Sequence, residues 1–210
     1  MIRRHALILG FAAALAPALP ALALDRALSP EEQQLIAEIN AHNSAIRTMV
    51  GRFLQIDTNG GRTEGTFFLE RPDKVTFRYA PPSREEIVSQ GRGFYVLDRR
   101  EETYYAYPQD TIPLRQFLGS NIDLLNANVL DVTLSDGYLS VTVIDNTVAG
   151  TVQVSLIFDI DTKDLAQWTL VEPSGAELTF SLYDVQKDVQ IPPAFFSIPS
   201  TYKSRDPANG

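Results

Sequence analysis

Enzymatic acid–base or nucleophilic chemistry needs a reactive side chain held beside a partner, and few residues of this sequence qualify. The 210-residue chain has two histidines, His5 and His42, and no cysteine. His42 has no His-x-Glu or paired-His spacing around it, so neither a histidine triad nor a zinc site finds its members, and it reads as a helix-surface residue. The lack of cysteine removes disulfides, thiolate catalysis and Cys-ligated metals together. Glu85-Glu86 and Glu101-Glu102 are carboxylate pairs of the kind glycoside hydrolysis uses, but neighbours on a strand face opposite ways. Asp159-x-Asp161-x-x-Asp164 has the oxygen spacing of a calcium loop without the Gly and distant Glu of an EF-hand, and reads as a hairpin turn. The chain is therefore not expected to be an enzyme, with a hydrolase as the alternative of a different class, and no cofactor or metal is expected. Arg71 is the residue that asks for an explanation. Phe67, Leu69 and Arg71 share one face of a strand, and an Arg on an apolar face is costly unless its donors are satisfied. By parity alone, a strand-end Arg reaching solvent past the rim is the simpler reading.

The elements that must position these residues begin after an export signal. Arg3 and Arg4 precede an apolar run from Ala6 to Leu19 that closes on Ala21-Leu22-Ala23, the charged start, short core and small-x-small exit of a secretory signal peptide. Residues 1–23 are read as that signal and 24–210 as one domain, free in the periplasm because no lipidatable cysteine follows the run. Ser29-Pro30-Glu31-Glu32 is a helix start with N-cap, N1 proline and capping box. Leu35, Ile36, Ile39, Ile46 and Val50 then mark one helical stripe.

From Phe53 onward the period changes to two. Strands are expected near 52–57, 64–70, 74–79, 86–90, 94–98, 103–107, 129–134, 138–145, 151–159, 165–172 and 177–184, about eleven in all. Asn59-Gly60-Gly61, Ser135-Asp136-Gly137 and Pro173-Ser174-Gly175 are turns between them. A second helix is expected from Ile112 to Leu125. The result is a mainly β, α+β fold: a large antiparallel sheet, apolar on one face, with two helices too small to cover it. Both a ligand cavity and a fully packed sandwich fit that alternation.

Charge narrows the partners. Removing residues 1–23 deletes two of the 18 basic residues and none of the 26 acidic ones, leaving a charge of −10. A basic footprint for nucleic acid is missing.

Several motifs taken in order resemble the outer-membrane lipoprotein carrier family, the LolA-like proteins. They are Met49-x-x-x-Phe53-x-Gln55, Gly65-x-Phe67-x-Leu69-x-Arg71-Pro72, Phe77-x-Tyr79 with Pro81-Pro82, and Ile87-Val88-Ser89-x-Gly91 followed by Tyr95-x-Leu97-Asp98. Pro113-Leu114-x-x-Phe117-Leu118, Phe158-Asp159 to Leu165-x-x-Trp168, Gly175, and the closing Pro193, Phe195, Ile198 and Pro199 continue the likeness.

The resemblance implies an incomplete antiparallel β-barrel, a half-barrel closed by a helical lid. Such a protein would be a periplasmic carrier that takes the acyl chains of lipoproteins released from the inner membrane and delivers them to the outer membrane. It further implies acylated lipoproteins as cargo, an inner-membrane lipoprotein-releasing ABC transporter as donor, and a monomeric state, and it leaves open an outer-membrane lipoprotein acceptor. A lipid-binding sensor, or a carrier of another lipid on the same half-barrel, is the alternative within the fold. Under this likeness Arg71 becomes a lock that donates to lid carbonyls, and Phe117 and Leu118 belong to the lid. The acyl-chain cavity would be walled by Phe53, Phe67, Leu69, Val75, Phe77 and Tyr79 from the first half of the sheet. Val154, Leu156, Trp168, Phe180 and Leu182 complete it from the second half.

Overall fold

The capping chemistry at Ser29 is formed in the computed structural model, which describes residues 27–91, 93–109, 115–147 and 150–205, the side chains of 115 and 116 apart. Ser29 Oγ accepts from the Glu32 amide at 3.2 Å, and Glu32 Oε2 accepts from the Ser29 amide at 2.7 Å. These bonds satisfy two of the amides that a helix start leaves over, and Pro30 occupies a position where no amide is needed. Helix α1 runs Pro30–Ala45 and buries Ile36, Ile39 and Asn43. The signal-peptide reading of residues 1–23 lies outside the described residues. Among those described, no helix is long and apolar enough to cross a membrane.

The stripe from Leu35 to Val50 is not helical throughout, which corrects the expectation above. Ile46 caps α1 in an extended conformation, φ −70° and ψ 120°, and strand β1 already begins at Thr48 (Thr48–Asp57). Thr48 and Val50 are β-branched and find partners in neighbouring strands: Val50 pairs with Phe68 on one side and with Gln186 on the other. Two strand partners outcompete one more helical turn. The four-residue step from Ile46 to Val50 suits either period, so spacing alone could not separate them.

Strands β2 (Arg62–Glu70), β3 (Lys74–Tyr79), β4 (Glu85–Gln90), β5 (Gly93–Asp98) and β6 (Thr103–Pro108) follow as a meander. A one-turn helix α2 (Arg115–Leu118) intervenes before β7 (Val129–Ser135), β8 (Tyr138–Thr147), β9 (Gly150–Asp159), β10 (Leu165–Val171) and β11 (Glu177–Lys187). All eleven expected strands are present within a few residues of their expected ends. A twelfth, β12 (Lys203–Ser204), pairs in parallel with β6. Two residues carry no periodicity, and the pairing exists only because the tail is brought back to that edge.

The strands form one open sheet in the order β12-β6-β5-β4-β3-β2-β1-β11-β10-β9-β8-β7. It is antiparallel except at β12 and is not closed into a barrel. The key junction is β1 with β11, which joins the two meanders across more than 120 residues of sequence; Phe53 is opposite Leu182 there and opposite Gly65 on the other side.

The expected helix from Ile112 to Leu125 is also corrected. Residues 110–114 are outside the description, and only Arg115–Leu118 is helical. Residues 119–128 instead hang on α1: the Ile122 amide donates to Ser44 Oγ at 2.8 Å and the Leu124 amide to Asn40 Oδ1 at 3.1 Å. Ile122 and Leu124 are buried, whereas Leu125 is 41% exposed and shares no face with them.

The inner face of the sheet carries two apolar clusters. One lies under α1, where Ile36 and Ile39 meet Val141, Val154, Leu156 and Phe158 among others. The second lies on β1–β3 and holds Phe53, Phe67, Leu69, Val75 and Tyr79 with Leu118. A smaller apolar layer covers the outer face of β2–β5. There the 3-10 turn Pro193–Phe196 packs Phe195 against Phe68, ring centroids 4.3 Å apart, and buries Phe196. Thr76 Oγ1 donates to the Phe195 carbonyl at 2.8 Å, and Val88 and Leu97 are buried on β4 and β5.

Candidate functional site

Alternation along β1, β2 and β3 sends Phe53, Phe67, Leu69, Val75, Phe77 and Tyr79 to the inner face, and β10 and β11 add Trp168, Phe180 and Leu182 there. Six of these residues are aromatic and their rings touch. Phe53 meets Phe77 edge-on at 5.3 Å and Tyr79 at 5.1 Å, and Phe77 reaches Trp168 at 6.0 Å and Phe180 at 5.8 Å. Trp168 and Phe180 stack at 4.8 Å with 10° between their planes. Edge-on and offset contacts of this kind are the favoured ones between rings.

Glycine makes the room. A Cβ at Gly65 would stand 2.5 Å from the Phe53 ring and closer still to the Arg78 carbonyl oxygen, and one at Gly51 would stand 2.7 Å from the Phe67 ring. Tyr79 donates its hydroxyl to Gln55 Oε1 at 2.5 Å. Burial, with the nearby Glu85 charge, pushes that hydroxyl well above the usual tyrosine range.

The expected wall is not one surface. Phe53, Phe67, Leu69, Val75 and Tyr79 are buried in the second cluster, with Phe77, Phe180 and Leu182 half-buried against it. Val154 and Leu156 are instead completely buried in the packed core under α1. Their strand alternates as β2 does, and only the placement of α1 distinguishes the two. Trp168 packs against the α1 cluster and stacks on Phe180, so it marks the seam.

Helix α2 sits on this seam. Phe117 packs into the α1 cluster and onto Phe158 at 6.1 Å, while Leu118 packs among Phe53, Phe67 and their neighbours. Its last carbonyls, which a helix end leaves without partners, are taken up by the end of β2. Arg71 Nε donates to the Phe117 carbonyl at 3.1 Å, and the Asp73 amide donates to the Leu118 carbonyl at 2.9 Å. Arg71 Nη1 also donates to the Ile46 carbonyl at 2.9 Å, at the C-cap of α1. Arg71 is only 6% exposed, so it does not reach solvent past the rim. Burial, and then the charge of Arg47, pulls its pKa down to about 10, which still leaves it cationic at neutral pH.

The other candidates have structural partners. His42 Nε2 lies 2.7 Å from Asp164 Oδ1, and Lys187 Nζ is 2.5 Å from the same oxygen, so His42 fastens α1 to the β9–β10 turn. Asp159 Oδ1 accepts from the amides of Asp161 at 2.9 Å and Thr162 at 2.8 Å, the chemistry of a turn. Glu86 is buried and takes a two-pronged contact from Arg78, 3.1 Å from Nε and 2.8 Å from Nη2. Glu85 lies on the opposite side of β4, beside Asp98 of β5. Among the described residues no group of three or more His, Cys, Asp or Glu is placed to hold a metal.

Sequence reasoning missed Asp73, Ser89 and Gln109. Gln109 Nε2 donates to Ser89 Oγ at 2.7 Å and to the Asp73 carbonyl at 3.0 Å. Ser89 was findable, since it pairs with Val75 and so points inward; Gln109, beyond the end of β6, left no such signal. A hollow of about 540 Å³ beside Lys74, Gly93 and Tyr95 lies away from the aromatic face. So does one of about 300 Å³ between Arg78, Arg99 and Tyr202.

The family described as "Outer membrane lipoprotein carrier protein LolA" matches residues 44–199. The chain belongs to that family.

The LolA match takes in every strand from β1 to β11 and the short helix α2. An outer-membrane lipoprotein carrier protein of Alkalilimnicola ehrlichii is 33% identical over 87 residues, covering 38% of this chain and 41% of that one. The chain thus spans about two fifths of the curated relative it matches. Among solved structures, an uncharacterized conserved protein from Thermus thermophilus superposes with a TM-score of 0.50 at 6% identity, over 83% of this chain and 98% of that one. A LolA superfamily protein from Nitrosomonas europaea gives a TM-score of 0.45 at 11% identity, over 77% and 97% of the two chains. At 6% identity the likeness to the Thermus thermophilus protein is one of fold.

Proposed function

We propose that this LolA-family chain is a soluble periplasmic carrier of acylated lipoproteins, exported by its N-terminal signal and acting between the inner and outer membranes. The observation that carries the reading is the plug at the seam. Leu118 of α2 lies among the aromatic rings of the inner face, and α2 is tethered there through the Phe117 and Leu118 carbonyls. Withdrawing α2 would uncover Phe53, Phe67 and Phe77, an apolar surface suited to acyl chain.

The energetic need for such a protein is large. At about 0.8 kcal/mol per CH₂, three acyl chains of roughly a dozen methylenes each lose on the order of 30 kcal/mol on entering water. An aqueous gap is therefore closed to free lipid. In this reading Arg71 is the lock of the closed, empty state, and Phe117 with Leu118 is the lid that cargo displaces. An inner-membrane ABC transporter would hand over the lipoprotein for delivery to the outer membrane, with or without an acceptor there.

Native mass spectrometry of protein purified gently from periplasm, with organic extraction of bound lipid, tests the class of cargo. Triacylated lipoprotein is the expected find. A phospholipid or other lipid in its place would make the chain a carrier or sensor of that lipid, and protein that never carries lipid would overturn the proposal. The same intact-mass measurement should show a chain beginning near Leu24, and retention of residues 1–23 would overturn the signal reading.

A further inference from the structure

Six buried side chains of the described protein are polar or charged: Asn43, Arg71, Thr76, Glu86, Ser89 and Gln109. Asn43 serves α1 and the β9–β10 turn, donating to the Ile39 and Lys163 carbonyls. Thr76 and Glu86 serve the outer face. The other three converge on one place, the residues that hold the end of α2.

Arg71 acts there directly. Ser89 and Gln109 lie one step behind it, as buried as Arg71, with Gln109 Nε2 bonded to both Ser89 and the Asp73 carbonyl. Both hydrogens of the Gln109 amide have a use, one on Ser89 Oγ and one on the Asp73 carbonyl. Asp73 lies in the left-handed region, φ 68°, which Asp adopts more readily than most non-glycine residues. Its amide then donates to the Leu118 carbonyl at 2.9 Å. A pinned carbonyl on one side of the Asp73 Cα restrains the torsions that aim the amide on the other.

We propose that Gln109 is a positioning residue for lid closure: braced on Ser89, it holds the Asp73 carbonyl so that the Asp73 amide meets the Leu118 carbonyl. This rests on the reading of α2 as a lid, and it adds to Arg71 a second latch of a different kind. The latch itself is main chain, so no substitution at position 73 removes its donor except proline. Its sensitivity is moved to Gln109.

Amide exchange measures this bond directly, because the latching hydrogen is the Asp73 amide. Gln109→Glu keeps the size of the side chain but replaces both donor hydrogens with a carboxylate that faces a carbonyl oxygen. In the unloaded mature protein, NMR-detected exchange of the Asp73 amide should become about tenfold faster, as expected when one modest hydrogen bond is lost. Val75 and Phe77, on the adjoining strand β3, should keep their protection. Lowering the pH should partly restore Asp73 protection in this variant, after correction for intrinsic exchange, because a protonated carboxyl regains one donor. Ser89→Ala, which removes only the brace, should give a smaller change at the same amide.

Unchanged Asp73 protection in Gln109→Glu would overturn the assignment, and so would uniform acceleration across β2–β4, which is what a merely structural role produces. Saturating palmitate added to the wild type separates this inference from the carrier reading. Displacement of α2 should deprotect Asp73. If palmitate leaves Asp73 untouched while Gln109→Glu does not, the latch stands and the lid has no part in lipid binding.

Discussion

Arg71 and Phe117, separated by 46 positions in the chain, are joined by a hydrogen bond of 3.1 Å from a buried guanidinium to a helix-end carbonyl. The same guanidinium reaches Ile46 at 2.9 Å. One side chain thus ties together the end of α1, the end of β2 and α2, and its removal should act on the closed arrangement more than on an opened one.

Under the proposed carrier function, Arg71→Leu is therefore expected to shift the protein toward holding cargo. Hydrogen bonds to a charged donor contribute about 1.5–3 kcal/mol each, so losing the bond to Phe117 should disfavour closure by about one to two orders of magnitude. Only an effect that differs between two states moves their balance. Arg71→Lys should be milder, since an ammonium offers its donors in another geometry. Transfer of pre-loaded lipoprotein to outer-membrane vesicles, at one salt concentration, reads this; release from Arg71→Leu as fast as from wild type would make Arg71 a structural tie alone.

Phe77 is half-buried and contacts the rings of Phe53, Phe67, Trp168 and Phe180. Phe77→Asp would set an unpaired carboxylate among them, an expensive placement. Saturable binding of a fluorescent fatty acid should weaken at least about tenfold, which corresponds to roughly 1.4 kcal/mol. Equal binding by both proteins would remove the aromatic face from the proposed acyl site.

Trp168 is the single tryptophan of the chain, and it stacks on Phe180 at the seam where Phe117 and Leu118 meet the sheet. Titration with a long-chain fatty acid should change its emission saturably, and Phe117→Ala should change the starting spectrum. Emission indifferent to both would show that the seam stays shut.

Gly65 faces the Phe53 ring and the Arg78 carbonyl across distances that leave no room for a methyl group. Gly65→Ala should destabilise the protein by about 1–3 kcal/mol, the usual cost of overpacking, with a matching fall in the urea midpoint. Gly60→Ala is the contrast. Nothing lies near its Cβ, and its penalty comes from the positive φ of 77° alone.

Ser29 closes both bonds of the capping box on α1. Ser29→Ala should lower stability by about 1 kcal/mol and leave fatty-acid binding unchanged, because Ser29 lies at the far end of α1 from the Ile46 carbonyl that Arg71 holds. A binding defect of equal size would show that the seat of α1 and the proposed acyl site are coupled.

The strands and the start of α1 could be read from the chain because local rules act on neighbouring residues. Side-chain alternation, turn residues and the Ser29 cap need no knowledge of what lies opposite. The same rules misplaced the end of α1, since Ile46 and Val50 satisfy either period and only the pairing of β1 with β2 and β11 decides between them. They also extended α2 to Leu125, where Ser44 and Asn40 of α1 instead draw residues 122 and 124 into a bonded loop. Parity placed Arg71 on the inner face, and family likeness, not physics, suggested a carbonyl for it. Which inner-face residues are packed core under α1 and which lie under α2 was beyond the sequence. Val154 and Phe67 alternate alike, and they differ only because α1 lies over one and Leu118 over the other. The latch through Gln109 and Asp73 belongs to tertiary structure altogether, because it runs through a main-chain amide and carbonyl that every residue type but one possesses, and only the folded chain aims them.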